Sequence, residues 1–227
     1  NVLVAMSDCR LGAADGKFEM ELGDGAAALL LGNTNVLAEI EETVSFSKDM
    51  ADEWRADDEP YIRDWDVRYA ASELYNPAVN AAVGELLQKM HRTPADYSSL
   101  VIYGHEEKKR LALAAKLGFA PEQIAPSFYN EIGNTGNAAA AIMLCHVLDN
   151  AKPGEKILYV SYGDGCDVIS ISVTPDIESF QTKRTVVRQL AHKDDSLPYG
   201  KYLKWKKMIV SEPQKRPGQE RSALPDY

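Results

Sequence analysis

The chain has 227 residues, 45% of them hydrophobic and 26% charged, enough for one substantial core or two small ones. Its net charge of −9 and a pI near 5.0 set the overall field against nucleic acid and anionic membranes. No apolar run approaches the ~20 residues of a bilayer span, and the opening "NVLVAMSDCR" lacks a basic region followed by a long apolar segment. The expectation is a cytoplasmic protein without a nucleic-acid or membrane partner.

In chain order, "VLVAMSD" (2 to 8) reads as a buried strand, and "GDGAAALLLG" (23 to 32) and "NVLAEIEETVSFS" (35 to 47) as two strands joined by the turn "GNTN". The acidic stretch from 48 to 68 reads as a solvated surface loop. A helical composition follows over about 66 to 91, with Pro77 expected to kink or divide it. "SLVIYG" (99 to 104) is a strand, 106 to 119 a helix closed by Gly118, and "PEQI" a turn or helix start. A helix over about 137 to 150 places Ala138, Ala141, Ile142, Cys145 and Leu148 on one face. Two strands (155 to 163 and 166 to 174) and a further helix complete the pattern, and strands alternating with helices predict an α/β layered fold. The last 30 residues read as a linker or tail. Their basic segment "KYLKWKKM" (201 to 208) is either a solvated patch with an aromatic anchor or a nucleic-acid contact.

Gly-Asp-Gly heads an apolar strand twice, at 23 to 25 and 163 to 165, which suggests two related halves. "GNTGN" (133 to 137) runs directly into a helix. Its glycines and Asn134 would suit an anion or developing negative charge at the helix start, or serve as an elaborate helix cap. His105 follows a strand and precedes a helix, where α/β proteins tend to place sites, and reads equally as a partly exposed histidine. His91, His146 and His192 lie on or near helices without chemical context. Cys9, Cys145 and Cys166 are odd in number and widely spaced, which argues for reduced thiols and against a disulfide or zinc site, and none has a nucleophile's surroundings. The acidic run has neither the glycine spacing nor the histidine partner that would organise a metal, so no metal site is expected.

"LGDGAAALLLG", "HEEKKRLALAAKLGF", "IGNTGNAAAAIML" and "AKPGEKILYVSYGDGCD", in this order, resemble the thiolase superfamily over roughly residues 2 to 174. The likeness is to its 3-hydroxy-3-methylglutaryl-CoA (HMG-CoA) synthase-like branch and to the ketoacyl synthase III-like enzymes. The resemblance implies a layered αβαβα thiolase-like fold, of which this chain holds mainly the carboxyl-terminal half. Residues 1–47 would end the first half, 48–175 form the second, and 176–227 supply a helix and a basic, proline-rich tail. It also implies acyl transfer or condensation between CoA thioesters, with the thioester as substrate and no bound cofactor.

By position, Asn134 and His105 match the family's carbonyl-binding asparagine and histidine, and Gly133, Gly163, Asp164 and Gly165 its substrate-side loops. The usual His-Gln-Xaa-Asn or proline-containing pattern is replaced here by "YGHEEKK". The implied partners are an upstream thiolase half that holds the reactive cysteine, a second copy in a homo- or hetero-oligomer, and a zinc-bearing OB-fold protein or domain. The alternatives are a non-catalytic thiolase-fold subunit and a thiolase cleaving 3-ketoacyl-CoA.

Overall fold

A computed structural model describes residues 1–180, 184–194, 196–210 and 212. Strand β1 (Val2–Asp8) is followed by a short helix α1 (Lys17–Glu21), then by β2 (Gly25–Leu31), β3 (Ala38–Ser47), β4 (Glu53–Trp54) and β5 (Arg63–Asp64). Next come α2 (Val67–Tyr69), a π-helical segment (Ala70–Tyr75), α3 (Asn76–Lys89), β6 (Ser99–Ile102), α4 (Glu107–Lys116), α5 (Tyr129–Ile132) and α6 (Ala139–Asn150). Strands β7 (Lys156–Gly163) and β8 (Gly165–Val173), then α7 (Val186–Leu190), complete a unit that runs from Asn1 to Lys193. The second unit, from Asp194, contains α8 (Tyr199–Trp205), where the Lys201 ammonium lies over the Trp205 ring. The predicted tail from 211 onward lies outside the described residues apart from Glu212.

The central sheet has the order β3-β8-β7-β6, with β6 and β7 parallel and the other pairs antiparallel. Consecutive residues Leu100, Val101 and Ile102, and likewise Ile157 and Leu158, are fully buried, so both faces of β6 and β7 are covered. The cover comes from α3, against β3, β7 and β8, and from α6, against β6 and β7. This is the mixed, helix-covered sheet expected of a thiolase-like α/β fold. Among the described residues no helix is long and apolar enough to cross a membrane.

Three expectations about elements are corrected. Strands β2 and β3 are not a hairpin: β2 pairs with β1 in a separate ribbon, while β3 joins β8. The chain after the "GNTN" turn is tied to the far end of β8, with Thr174 donating from N to Leu37 O and from Oγ1 to Val36 O. The helix predicted after Thr174 is instead a 3-10 turn (Pro175–Ser179) and the separate α7, whose N-cap is the Thr185 hydroxyl. The acidic loop is not simply solvated, because β4 pairs with β5 and Asp52 is only 5% exposed.

Pro77 divides its helix through one missing donor. Without an N–H it cannot bond the carbonyl of Glu73, and that carbonyl accepts the Lys48 ammonium instead. The turn before it widens to a π-helix, with Asn76 N bonding back to Ala71 O. That widened turn carries Tyr75 toward the strand ends beyond β6.

The two Gly-Asp-Gly motifs buttress different neighbours. Gly23 N donates to Asn134 O at 3.0 Å, and a Cβ on Gly23 would lie 1.6 Å from Ile132 O. Asp164 O accepts from Lys48 N at 3.2 Å, at the start of the segment that leads to Asp52. A fourth correction concerns burial: residues 2 to 8 form the predicted strand but not a buried one, since the ribbon of β1 and β2 is apolar yet open, with Leu3 66% and Leu30 69% exposed.

Candidate active site

Beyond the carboxyl end of β6, a small cleft of about 40 Å³ is lined by Phe18, Asp52, Glu53, Trp65, His105 and Asn134, among others. His105 follows β6 by three residues. Gly104 precedes it because a Cβ there would lie 2.8 Å from the Tyr75 hydroxyl, which donates to Tyr103 O at 2.8 Å. Asn134 is held from the other side by backbone bonds to the α1–β2 segment, donating to Glu21 O at 2.7 Å.

The Asn134 amide orientation is determined by its donors. Gly136 N–H (2.9 Å) and the Arg10 guanidinium (3.3 Å) can only donate, so the atom they meet is Oδ1. The Tyr103 hydroxyl, 3.0 Å away, therefore donates to the same oxygen. Asn134 Nδ2 makes no hydrogen bond to the described residues and belongs to a side chain that borders the cleft. Of the two readings of the polar turn, the capping one has hydrogen bonds behind it. Asn134 does cap the helix start, and Asp8 takes the next free N–H, from Asn137 at 3.4 Å. That carboxylate leaves the helix end already supplied with negative charge. Gly136 is required beside it: its φ is +46°, and a Cβ would sit 1.9 Å from Asp8 Oδ2.

His105 lies between two carboxylates, its Nε2 3.1 Å from Asp52 Oδ2 and its Nδ1 3.1 Å from Glu53 Oε1. Neither approach has the alignment of a hydrogen bond. Nδ1 is aligned with the Tyr103 hydroxyl at 3.1 Å, and Nε2 is buried without an aligned partner among the described residues. Burial opposes protonation of the ring, but Asp52 and Glu53 outweigh it and push the imidazole up to about 9. Burial likewise opposes ionisation of the two acids. His105 and the Tyr162 hydroxyl (3.0 Å) hold Asp52 below its usual range, and His105 and Arg10 do the same for Glu53. Tyr103 is pushed up, first by burial and then by Glu53, so it stays a neutral donor.

The structure therefore brings together His105 and Asn134. Gly133, with φ +72°, lines a second, smaller cavity beside Tyr103 and Asn134. Gly163, Asp164 and Gly165 form the tight β7–β8 turn and do not line the cleft. A Cβ on Gly165 would lie 2.2 Å from Phe46 O, so that glycine serves strand packing. Cys166 is buried, with its thiol pushed up to about 12 by burial, and Cys9 and Cys145 do not border the cleft.

Sequence reasoning missed Asp52, Glu53, Tyr103, Arg10 and Tyr162. A signal was present for the first two. Met50, Trp54, Ile62 and Trp65 are too apolar for a solvated acidic loop, and Trp54 and Trp65 pack with ring centroids 5.2 Å apart.

Residues 87–174 match the model of the 3-oxoacyl-[acyl-carrier-protein] synthase III C-terminal family. The hydroxymethylglutaryl-CoA synthase of Methanocaldococcus jannaschii is 34% identical over 206 residues, 89% of this chain and 59% of that protein. The Methanopyrus kandleri synthase is 32% identical over the same shares. This chain thus spans about 59% of the length of the curated relatives it matches. Among solved structures, MvaS in complex with 3-hydroxy-3-methylglutaryl coenzyme A aligns with a TM-score of 0.74 at 17% identity, over 96% of this chain and 62% of that one. HMG-CoA synthase complexed with CoA aligns at 0.67 and 20% identity, over 84% and 53%. By motifs, sequence relatives and fold together, the chain belongs to the HMG-CoA synthase-like thiolase family, and its residues 87–174 are similar to the ketoacyl synthase III C-terminal family.

Proposed function

We propose that this chain supplies the carbonyl-binding part of the active site of a CoA-thioester condensing enzyme of the HMG-CoA synthase type. The observation that carries the reading is the convergence of His105 and Asn134 on one cleft, joined through the Tyr103 hydroxyl. An imidazolium N–H and the Asn134 Nδ2 would donate to the thioester oxygen as negative charge develops on it. Losing one such donor costs about 3 kcal/mol of barrier. The acyl group would be carried on a cysteine of an upstream thiolase half, since no cysteine of this chain borders the cleft. A cleft of about 40 Å³ has room for a few waters but not for an acyl thioester, which needs walls that the upstream half would add. The open apolar ribbon of β1 and β2 supports such a partner, as does the relatives' greater length. An oligomer, a zinc-bearing OB-fold partner docking on the basic segment of α8, and a cytoplasmic setting belong to the same proposal.

The test is intact-mass and peptide mapping of the full-length assembly with and without acetyl-CoA. An acetyl mass on an upstream cysteine, with turnover lost about 10²- to 10³-fold in Asn134→Ala, is the expected result. Absence of any acylated cysteine with acetyl-CoA or longer thioesters overturns it. That outcome would favour the second reading, a non-catalytic thiolase-fold subunit, for which the crowding of His105 by two carboxylates speaks. A thiolase cleaving 3-ketoacyl-CoA is disfavoured because Cys166 is buried in the core.

A further inference from the structure

Tyr103 is nearly fully buried, yet its hydroxyl meets two polar groups that come from opposite sides of the cleft. Its single proton is committed. Asn134 Oδ1 is an acceptor only, and Gly136 N–H and Arg10 fix that atom in place, so the Tyr103 O–H points to it. The lone pairs of the same oxygen then face His105 Nδ1 at 3.1 Å, and a contact of that length requires the proton to be on Nδ1. At the opposite nitrogen, Nε2 stands 3.1 Å from the Asp52 carboxylate, where an unprotonated nitrogen would be repelled. The direction of every proton along this line follows from groups that cannot reverse. The relay runs from His105 Nδ1–H to the Tyr103 oxygen, and from Tyr103 O–H to Asn134 Oδ1.

We infer that Tyr103 is a positioning residue that couples His105 to Asn134, fixing the ring's Nδ1 proton and helping to hold the asparagine's Nδ2 toward the cleft. The inference rests on the proposed role of these two residues at a thioester carbonyl, but the hydrogen-bond relay can be tested without any activity. Glu53 assists from the side: the Arg10 guanidinium holds its carboxylate, which lies 3.1 Å from Nδ1 but out of line with it. Among the described residues, the Tyr103 hydroxyl is the group that contacts both members directly. Its place in the chain follows from β6, which ends at Ile102 and delivers Tyr103 buried and His105, its side chain 25% exposed, on either side of Gly104.

The experiment uses the full-length protein labelled with 15N-histidine, with the His105 signals assigned by their loss in His105→Gln. Wild type is expected to show a protonated, hydrogen-bonded Nδ1 through neutral pH. In Tyr103→Phe that proton should exchange rapidly with water, and kcat should fall about ten- to a hundredfold at nearly unchanged KM, as expected when a donor is misplaced and not removed. An unchanged Nδ1 signal in Tyr103→Phe overturns the relay, and an altered signal with unchanged kcat overturns the positioning role. If Tyr103→Phe fails to fold, replacement of Tyr103 by 3-fluorotyrosine keeps the shape and weakens the phenol oxygen as an acceptor. The Nδ1 proton should then move upfield, and no movement overturns the relay. Full activity in Asn134→Ala would instead sink the carbonyl-binding reading, whatever the imidazole shows.

Discussion

Two polar clusters flank strand β6, one before its start and one beyond its end, and they differ in the cation at their centre. In the first, Arg92 grips Glu41 with both arms of its guanidinium and donates to Ser170 at 3.1 Å, while Tyr97 donates to the same serine at 3.1 Å. Glu41 is the unpaired residue at the register shift between Ile40 and Glu42, so a β-bulge aims its carboxylate at Arg92. Every member has an aligned partner, and the cation does not titrate in the working range. In the second cluster, His105 faces two carboxylates at 3.1 Å without alignment to either, beside a cleft. The first arrangement holds a sheet together; the second keeps a titratable donor charged and incompletely engaged. A cation among carboxylates is therefore not by itself a site. What distinguishes the second cluster is unused hydrogen-bonding capacity next to open space.

The sharpest way to break this comparison is to remove each cation in turn. On the proposed function, His105→Gln should lower kcat of the full-length protein by about 10²- to 10³-fold, and near neutral pH it should also lower the melting temperature, because it leaves the Asp52 and Glu53 carboxylates without their cation. Arg92→Ala should cost stability alone. It leaves the Glu41 carboxylate with the Ser170 hydroxyl (2.7 Å) but without its cation, at a cost of about 1–3 kcal/mol and some 2–4 °C of Tm per kcal/mol, with kcat unchanged. Calorimetry and steady-state kinetics on both variants check this, and loss of activity in Arg92→Ala without loss of stability would contradict the assignment.

The pH dependence separates the clusters next. The folded-state value of His105 is raised to about 9 from 6.5, so its stabilisation is complete below about pH 6.5 and lost as pH rises through 9. The whole effect is at most about 3 kcal/mol. Glu41 is held low by Arg92, so the first cluster's contribution is present above its usual carboxylate value and lost as pH falls through the depressed one. Between pH 6.5 and 9 only the His105 cluster should loosen. Tm of wild type minus Tm of His105→Gln, followed across that window, should shrink toward zero at the alkaline end. A constant difference would mean that the imidazole is not protonated at neutral pH.

Much of the fold was legible because it rests on local chemistry: apolar runs bounded by glycine, Pro77 dividing a helix, Gly118 closing another at φ +93°. The ends of the site were legible as well, since His105 after a strand and Asn134 before a helix carry positional signals. The middle was not. Asp52 and Glu53 arrive from more than fifty residues away in an acidic segment whose composition imitates a solvated loop. Tyr103 reads as one more apolar strand residue until its neighbours in space are known. Which strands pair was hidden for the same reason. Strands β2 and β3 are consecutive in sequence, yet their hydrogen-bond partners are β1 and β8.

The smallest expected effect tests whether exposure or distance controls the energy of these contacts. At the rim of the cleft Lys17 Nζ stands 3.2 Å from Asp64 Oδ2 and 3.9 Å from Glu21 Oε2, nearly the separation of His105 from its carboxylates. The Lys17 side chain is 42% exposed, against 7% for that of Asp52. Water screens the rim pair, and holding a long side chain in one geometry offsets much of its remaining attraction. Lys17→Ala should therefore change stability by less than about 1 kcal/mol, and that small change should vanish in 0.5 M salt, where the screening length is only a few ångströms. The titration of His105 should stay where it is. If Lys17→Ala instead costs as much as Arg92→Ala and resists salt, then charge separation alone sets these energies. The distinction between the structural cluster and the poised cleft cluster would then have to rest on hydrogen-bond alignment alone.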